Sequence, residues 1–525
     1  MAFTSLGFLF FALATVTLYF VFPKKWQWLV LFAANLYFYS TYEIRFLVFL
    51  LAAGLISYAA ALILEKQNRS SELALKNAGA EDKDRVRREN LKRKKRIAAI
   101  AIPLILSSWI VIKYGRFFIS NINALIGISG TPGKLPEPEW ILPLGMSFYT
   151  FHAIAYLIDV YRKKYPAERN FLKYFTFLSF FPHMIQGPFS RFGELGKSIF
   201  EEHRFSTDRL REGSARILWG MFKKIVIADP LAATVSTILG DHQAYGGVQI
   251  LFAVFVYSVR LYADFSGYMD IACGLSHILG IRLAENFRRP FFAKTVDEYW
   301  RRWHVTLGFW FRDYVFYPAS MGKAGMKLSK WARSKWGPRM GKLISGYFAL
   351  IFVWTATGLW HGANWTYLVW GYLNLFVIVS TMQLGEVYDK ITGKLHIRRE
   401  SLPWKLFCML RTFLLISVFR FFSIAPGLKE AFSTLGHTVL DFRPALLLKP
   451  SGFLIGMYRE EILMAGAGIL AMLVVDILQE KEKWDALKAK VPFGLRAFIY
   501  ACMLLMITLM VKGADMSQGF MYANF

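Results

Sequence analysis

The chain has 525 residues; 55% are hydrophobic, 17% aromatic and only 19% charged, and 63 Lys and Arg against 36 Asp and Glu leave a net charge of +27. Soluble domains carry more charge and fewer aromatic residues, so disorder, a disulfide scaffold and a secreted soluble enzyme are excluded. Apolar residues fall in long blocks, which places most of the chain in lipid, and the positive excess then marks cytoplasmic loops rather than a nucleic-acid partner.

The first apolar run, Leu6 to Phe22, has no basic region before it and no small-residue cleavage site after it, so it reads as a membrane segment and not a cleavable signal. Runs at Trp26–Ser40 and Phe46–Leu64 follow, each long enough to cross or nearly cross a hydrocarbon core of about 30 Å. Residues 65–96 then hold twelve Lys or Arg against six Asp or Glu and end Lys92-Arg93-Lys94-Lys95-Arg96. This basic arm and Lys24/Lys25 are expected inside, which puts the N-terminus outside. Further apolar stretches lie at 97–112, 141–160, 171–187, 214–228, 247–263, 344–360, 365–382, 403–424, 460–477 and 494–511. Several are short or broken by Pro, Gly or charge, notably 171–191 and 262–320, and read as re-entrant or broken helices around a central tunnel. The expected fold is all-α and polytopic, with roughly 11–13 membrane segments in one body spanning 1–525. Basic loops at Lys323–Lys342, Lys390–Lys405 and Lys481–Arg496 are expected inside, so the tail 512–525 emerges outside. Cys273, Cys408 and Cys502 sit far apart in apolar stretches with no CxxC or zinc spacing, and read as buried small apolar residues.

Ionisable residues inside membrane segments are costly, which makes each a candidate site. His304 lies in Glu298-Tyr-Trp300-Arg301-Arg-Trp303-His304, and His361 in Gly358-Leu-Trp360-His361-Gly-Ala-Asn364-Trp365 at the end of an apolar span. No HExxH or other metal spacing surrounds them, so no metal is expected, and proton transfer suits two such histidines. The plainer alternative is a hydrogen-bonded core histidine. In Tyr262-Ala-Asp264-Phe-Ser266-Gly267-Tyr268-Met-Asp270 two carboxylates interrupt an apolar stretch. They read as acceptors that hold a broken helix together more than as an acid/base pair. Phe181-Pro182-His183-Met-Ile-Gln186-Gly187-Pro188-Phe-Ser-Arg191 is a kinked polar intrusion that would line a passage. No P-loop, GxGxxG or GxSxG occurs, which leaves nucleotide hydrolysis, dinucleotide redox and the hydrolase elbow without support.

Six ordered motifs carry a resemblance: Pro143-Leu-Gly145-Met-Ser147-Phe-Tyr149, Gln186 to Arg191, Asp264 to Asp270, Glu285-Asn-Phe, Trp300 to His304 and Gly358 to Ala363. Together the chain resembles the membrane-bound O-acyltransferase (MBOAT) family, in its bacterial branch of alginate O-acetylation and teichoic-acid D-alanylation proteins. His183 and the long 65–96 arm depart from that pattern. The resemblance implies a bacterial plasma-membrane enzyme with no bound cofactor. It implies a donor thioester on acyl-CoA or an acyl carrier protein, and a polysaccharide or teichoic-acid acceptor. His361 matches the family's invariant histidine and would be the general base. His304 would orient the attacking hydroxyl or stabilise the oxyanion. Trp300, Arg301, Trp303, Trp360, Asn364, Gln186, Ser147, Asp264 and Asp270 would line the tunnel.

The C-terminus reads Phe520-Met-Tyr522-Ala-Asn-Phe525. Such an ending resembles one in bacterial polysaccharide-acylation systems, and implies that Tyr522 accepts the acyl group and passes it to an extracellular acyltransferase partner. An aromatic anchor at the outer membrane interface is the other reading of the same residues. Outside the enzyme class, a transporter or flippase for a lipid-linked sugar would also use broken helices and intramembrane charge, and a scaffolding role in an envelope complex is a third possibility.

Overall fold

A computed structural model describes residues 1–129, 133–449 and 452–511. Among them every element is helical, and the one β-type pairing is an isolated antiparallel bridge between Phe287 and Trp303. Eight runs are long and apolar enough to cross a membrane: Lys24–Asn77, Ala80–Gly127, Gly247–Ile278, Lys323–His361, Trp365–Gln383, Leu402–Ile424, Arg459–Glu480 and Phe493–Val511. The first of these holds two helices, Gln27–Glu43 and Leu47–Asn77, joined by a short 3-10 turn. A shorter apolar helix, Leu6–Val21, precedes them. Only 11% of the apolar window in Phe493–Val511 and 22% of that in Arg459–Glu480 are buried inside the protein, so those helices need lipid to solvate them. The chain is an all-α, multi-pass membrane protein.

The eight long runs are fewer than the roughly 11–13 segments expected because that number included re-entrant and broken helices, and these are short and walled by protein. Met146–Tyr161 buries 14 of its 16 residues, including Ser147, Thr150, His152 and Asp159. The stretch at 171–187 breaks into Phe171–Leu178 and a single turn, Phe181–Met184. Protein neighbours can satisfy polar groups and broken backbone that lipid cannot. The basic arm at 65–96 is also not a loose loop. It is the polar end of two long helices, Leu47–Asn77 and Ala80–Ser129, tied by a Gln67–Asn90 hydrogen bond at 3.2 Å.

The residues divide into two compact units. One holds Met1–Ser214 and Ala272–Ala284; the other holds Ala215–Ile271 and everything from Glu285 on. Within the first, Asn35 from Gln27–Glu43 donates to the Thr176 carbonyl at 3.1 Å and accepts the Phe181 N–H at 3.0 Å. That amide ties Phe171–Leu178 to the turn Phe181–Met184 across the break at Ser179–Phe180. His152 and His183 stack in the same unit at 4.3 Å between ring centroids, both fully enclosed.

The second unit is organised by buried charge. The helix that begins at Thr207 widens into π-helical turns over Lys223–Ala228, and Lys223 and Lys224 both face Gly247–Ile278. Lys224 Nζ lies 2.8 Å from Asp264 and 2.7 Å from Asp229; Lys223 Nζ lies 2.6 Å from Asp270 and donates to Ser266 at 2.8 Å. Arg216 closes the set on Asp270 at 2.9 Å and Glu285 at 2.7 Å. Such close approach requires bare backbone. A Cβ on Gly220 would meet the Gly267 carbonyl at 2.5 Å, and one on Gly267 would meet the Gly220 carbonyl at 2.8 Å. Asp264 and Asp270 are therefore the helix-holding acceptors that the sequence favoured, with three basic partners it did not name.

Removing one partner from a buried set strands the other charges, a loss of about 3–5 kcal/mol. Lys224→Met, which leaves Asp229 and Asp264 facing each other, is expected to lower the unfolding free energy in detergent by about that much, read as a lower unfolding midpoint. Pairing it with Asp264→Leu should recover part of the loss. A single variant that melts with the wild type would show that the lysine does not hold these helices.

Candidate functional site

His304 sits in a tight loop between two short helices, Val296–Arg302 and Val305–Phe311, outside the eight long apolar runs. Its backbone is left-handed (φ 48°, ψ 49°), a conformation a non-glycine residue adopts at some cost. The neighbouring segment 286–288 holds it there. The Arg288 N–H donates to the Arg302 carbonyl at 2.9 Å and the Val305 N–H donates to the Asn286 carbonyl at 3.0 Å. The side chain of Asn286 completes the clamp: its Oδ1 accepts from the Thr306 N–H at 3.2 Å and the Thr306 hydroxyl at 2.9 Å. Because a backbone N–H can only donate, that oxygen is an acceptor, and His304 Nδ1, 3.1 Å away, donates to it. Burial pushes the imidazole pKa down to about 3, so the ring is neutral and its Nε2 carries the lone pair.

His361 closes the helix Lys323–His361, which bends at Gly337–Pro338, where the Gly337 φ of 84° breaks the helical path. The last turns pack against Trp365–Gln383 through two glycines. A Cβ on Gly358 would meet the Tyr367 carbonyl at 2.7 Å, and one on Gly371 the Trp354 carbonyl at 2.8 Å. This contact sets His361 among aromatic rings, with centroids of Trp360 and Trp370 each 4.9 Å away and Tyr367 stacked at 6.2 Å.

The indole of Trp360 joins the two histidines, since the His304 ring lies 5.8 Å from it on its other contact. His361 also lines a pocket with Tyr257, Tyr367, Trp370, Arg420 and Ser423, holding about 290 Å³ of space between atoms, part of it open solvent. Among the described residues no cluster of three or more His, Cys, Asp or Glu is placed to hold a metal.

The other residues singled out in the sequence divide. Trp300 packs on Trp354 and Trp370 at 5.3 and 5.5 Å, in the wall behind His361. Trp303 stacks on Tyr299 at 5.6 Å beneath the His304 loop. Arg301 instead is exposed and pairs with Asp297 one turn back on its own helix, and it does not line the pocket. Asn364 caps Trp365–Gln383 by accepting the Thr366 N–H at 3.0 Å and donates to the Pro426 carbonyl at 2.7 Å. Ser147 and Gln186 are buried in the first unit, where Ser147 Oγ accepts the Trp109 indole N–H at 3.0 Å. Tyr522 lies outside the described residues.

Three residues of the site escaped the sequence reading. Asn286 stands in the Glu285-Asn-Phe motif, but the motif gave no sign that its amide holds His304. Asn374 is fully buried and accepts the Trp300 indole N–H at 2.9 Å, which fixes that wall. Arg420 is a buried cation near the end of the apolar helix Leu402–Ile424, a signal that intramembrane charge should have raised.

Two paired histidines in a polytopic helical body define an enzyme-like membrane site, and comparison with known proteins gives its family. The sequence model of the MBOAT, membrane-bound O-acyltransferase family matches residues 166–335. The chain is 33% identical over 372 residues to the probable alginate O-acetylase AlgI of Azotobacter vinelandii, covering 71% of this chain and 66% of that protein. It is 28% identical over 461 residues to the peptidoglycan O-acetyltransferase of Helicobacter pylori, covering 83% and 77%. It is 31% identical over 269 residues to the teichoic acid D-alanyltransferase of Bacillus subtilis, covering 49% and 62%. The chain belongs to the membrane-bound O-acyltransferase family. It spans just under two thirds of the length of the first alginate relatives it matches.

The Asn286 clamp makes a stability prediction independent of activity. Asn286→Ala leaves the Thr306 and His304 donors without their acceptor, at about 1–3 kcal/mol for each buried group. Asn286→Asp keeps an acceptor at the same place. Thermal unfolding in detergent should therefore rank wild type, then the aspartate variant, then the alanine variant. Equal midpoints for all three would remove the clamp.

Proposed function

We propose that this chain is an O-acyltransferase of a bacterial plasma membrane that moves an acyl group, acetyl or D-alanyl, from a thioester donor to a hydroxyl for O-acylation of an envelope or extracellular polysaccharide. The observation that carries the reading is that His304 and His361 both contact the ring of Trp360, with His361 open to a small aromatic pocket. The names of the relatives support the reaction class. The donor is a thioester on acyl-CoA or an acyl carrier protein, delivered from the cytoplasm, where the basic inner surfaces would attract its phosphates or an acidic carrier.

In this reading the attacking hydroxyl gives its proton to His361 as its oxygen bonds to the thioester carbonyl carbon; the C–S bond then breaks and the thiolate leaves with that proton. His304 orients the hydroxyl as it arrives, accepting its single O–H in a hydrogen bond until that proton turns to His361. The Asn286 contact supports that role over oxyanion stabilisation, because a neutral ring with Nδ1–H engaged offers Nε2 only as an acceptor. Enclosure among Trp300, Trp360 and Trp370 keeps water from competing for the acyl group.

Tyr522 is the proposed first acceptor on the outer side. A phenolic ester retains more transfer potential than a sugar ester and could hand the acyl group to an extracellular acyltransferase.

Two variants test the proposal in cells whose only copy of the chain is the variant, with base-released acyl groups on envelope polysaccharide as the readout. His361→Ala should reduce acylation about 10²–10⁴-fold, the usual contribution of a positioned base. Retained acylation would contradict enzyme action at this site, and a lipid-linked sugar transporter would then be the better reading. Tyr522→Phe should abolish polymer acylation and remove an acyl-tyrosine peptide seen by mass spectrometry of the wild type. Full polymer acylation in that variant would reduce the tail to a membrane anchor.

A further inference from the structure

Arg420 is the one cation in the apolar run Leu406–Ile424 other than Arg411, and it is only 5% exposed. Among the described residues no carboxylate lies within 4.0 Å of it, in a unit where Lys223, Lys224 and Arg216 all have carboxylate partners. What holds it is weaker. Nη2 donates to the Tyr299 hydroxyl at 3.3 Å, the guanidinium lies 5.6 Å from the centre of the Trp303 ring, and Nε is enclosed with no hydrogen-bond partner. A guanidinium has five N–H donors and stays charged. A buried cation without an anion is costly, and this one lines the same pocket as His361.

Such a placement suits an anion that exists only part of the time. A permanent carboxylate beside Arg420 would cancel its field; a hydroxyl and an indole face position it and leave the field intact. Acyl transfer creates such an anion. When the hydroxyl adds to the thioester, the carbonyl oxygen takes the electron pair of the C=O π bond, and it returns that pair as the C–S bond breaks. The reading of His304 as an acceptor leaves this oxygen without a donor from either histidine's assigned role.

We propose that Arg420 is a catalytic residue whose guanidinium donates to the carbonyl oxygen of the acyl group as negative charge develops on it, beside His361. This rests on the acyl-transfer reading above. Tyr299 and Trp303 then act as positioning residues, aligning the guanidinium before substrate arrives, which is what makes such stabilisation effective. Trp303 immediately precedes His304, so the loop that presents the orienting histidine also carries the ring under the arginine.

The test compares Arg420→Met and Arg420→Lys with wild type and His361→Ala. Base-released acyl groups are measured in cells at matched protein levels, and initial rates in membrane vesicles. The vesicle probe is acetyl-CoA or a D-alanyl-loaded carrier protein, whichever the wild-type vesicles consume. Arg420→Met should lower kcat about 10²–10³-fold, the usual cost of losing one oxyanion donor, with KM for the thioester within twofold. Arg420→Lys, which keeps the charge but loses the planar fork, should fall between the two and shows by its melting curve that the helix still folds. Three results would overturn the proposal: kcat within threefold of wild type in Arg420→Met, a raised KM with kcat unchanged, or Arg420→Lys no better than Arg420→Met in a folded protein. A raised KM would mean that the arginine grips a phosphate or carboxylate of the bound donor. Loss of activity in His361→Ala with retention in Arg420→Met rejects this inference alone; activity in His361→Ala rejects the acyl-transfer reading beneath it.

Discussion

A charge taken out of water must be met by another charge or by several good hydrogen bonds, and the second unit is arranged around that constraint. Lys224, with 2% of its side chain exposed, sits between Asp229 and Asp264, and Lys223 bridges Asp270 and Ser266. Consecutive lysines do not share one face of an ordinary α-helix. The π-helical turns at Lys223–Ala228 narrow the angle between successive residues, and both lysines reach Gly247–Ile278. The mutual contact of Gly220 and Gly267 is the steric condition for those pairs, because a methyl group at either position would push the helices apart.

The same constraint separates supporting residues from reacting ones. Asp264, Asp270 and Glu285 are each engaged by a basic partner, so they hold helices together. Asn286 meets three donors with one oxygen and so fixes the rotamer and tautomer of His304. Arg420 breaks the pattern with a hydroxyl and a ring face where the others have carboxylates. Its place in the pocket of His361 is what turns an exception into a functional assignment.

Rigid aromatic packing does the remaining work at the site. Trp360 touches both histidine rings, Trp370 and Tyr367 flank His361, and Trp300 is pinned by Asn374. Indole rings supply a large apolar wall with few rotatable bonds, so the imidazoles keep their orientation without many hydrogen bonds of their own.

Composition and the order of motifs were enough to place this chain in a membrane, to class it as all-α and to single out His304 and His361. Those are local properties: lipid demands long apolar runs, and a histidine at the end of such a run is conspicuous whatever surrounds it. The roles of Asp264 and Asp270 as acceptors were also legible, since two carboxylates in an apolar helix need cations. Their partners were not, because Lys223 and Lys224 come from about 40 residues earlier and only packing brings them near. Arg301 and Asn364 looked like tunnel residues from their motif neighbours, yet one faces outward and the other caps a helix, since a motif does not tell which side of a helix turns inward. The joining of the two histidines across Trp360, the amide that sets one tautomer and the arginine beside the other all depend on side chains far apart in sequence. Tertiary structure alone decided them, because a hydrogen bond or a ring contact is a matter of distance and direction between segments, which a linear pattern does not contain.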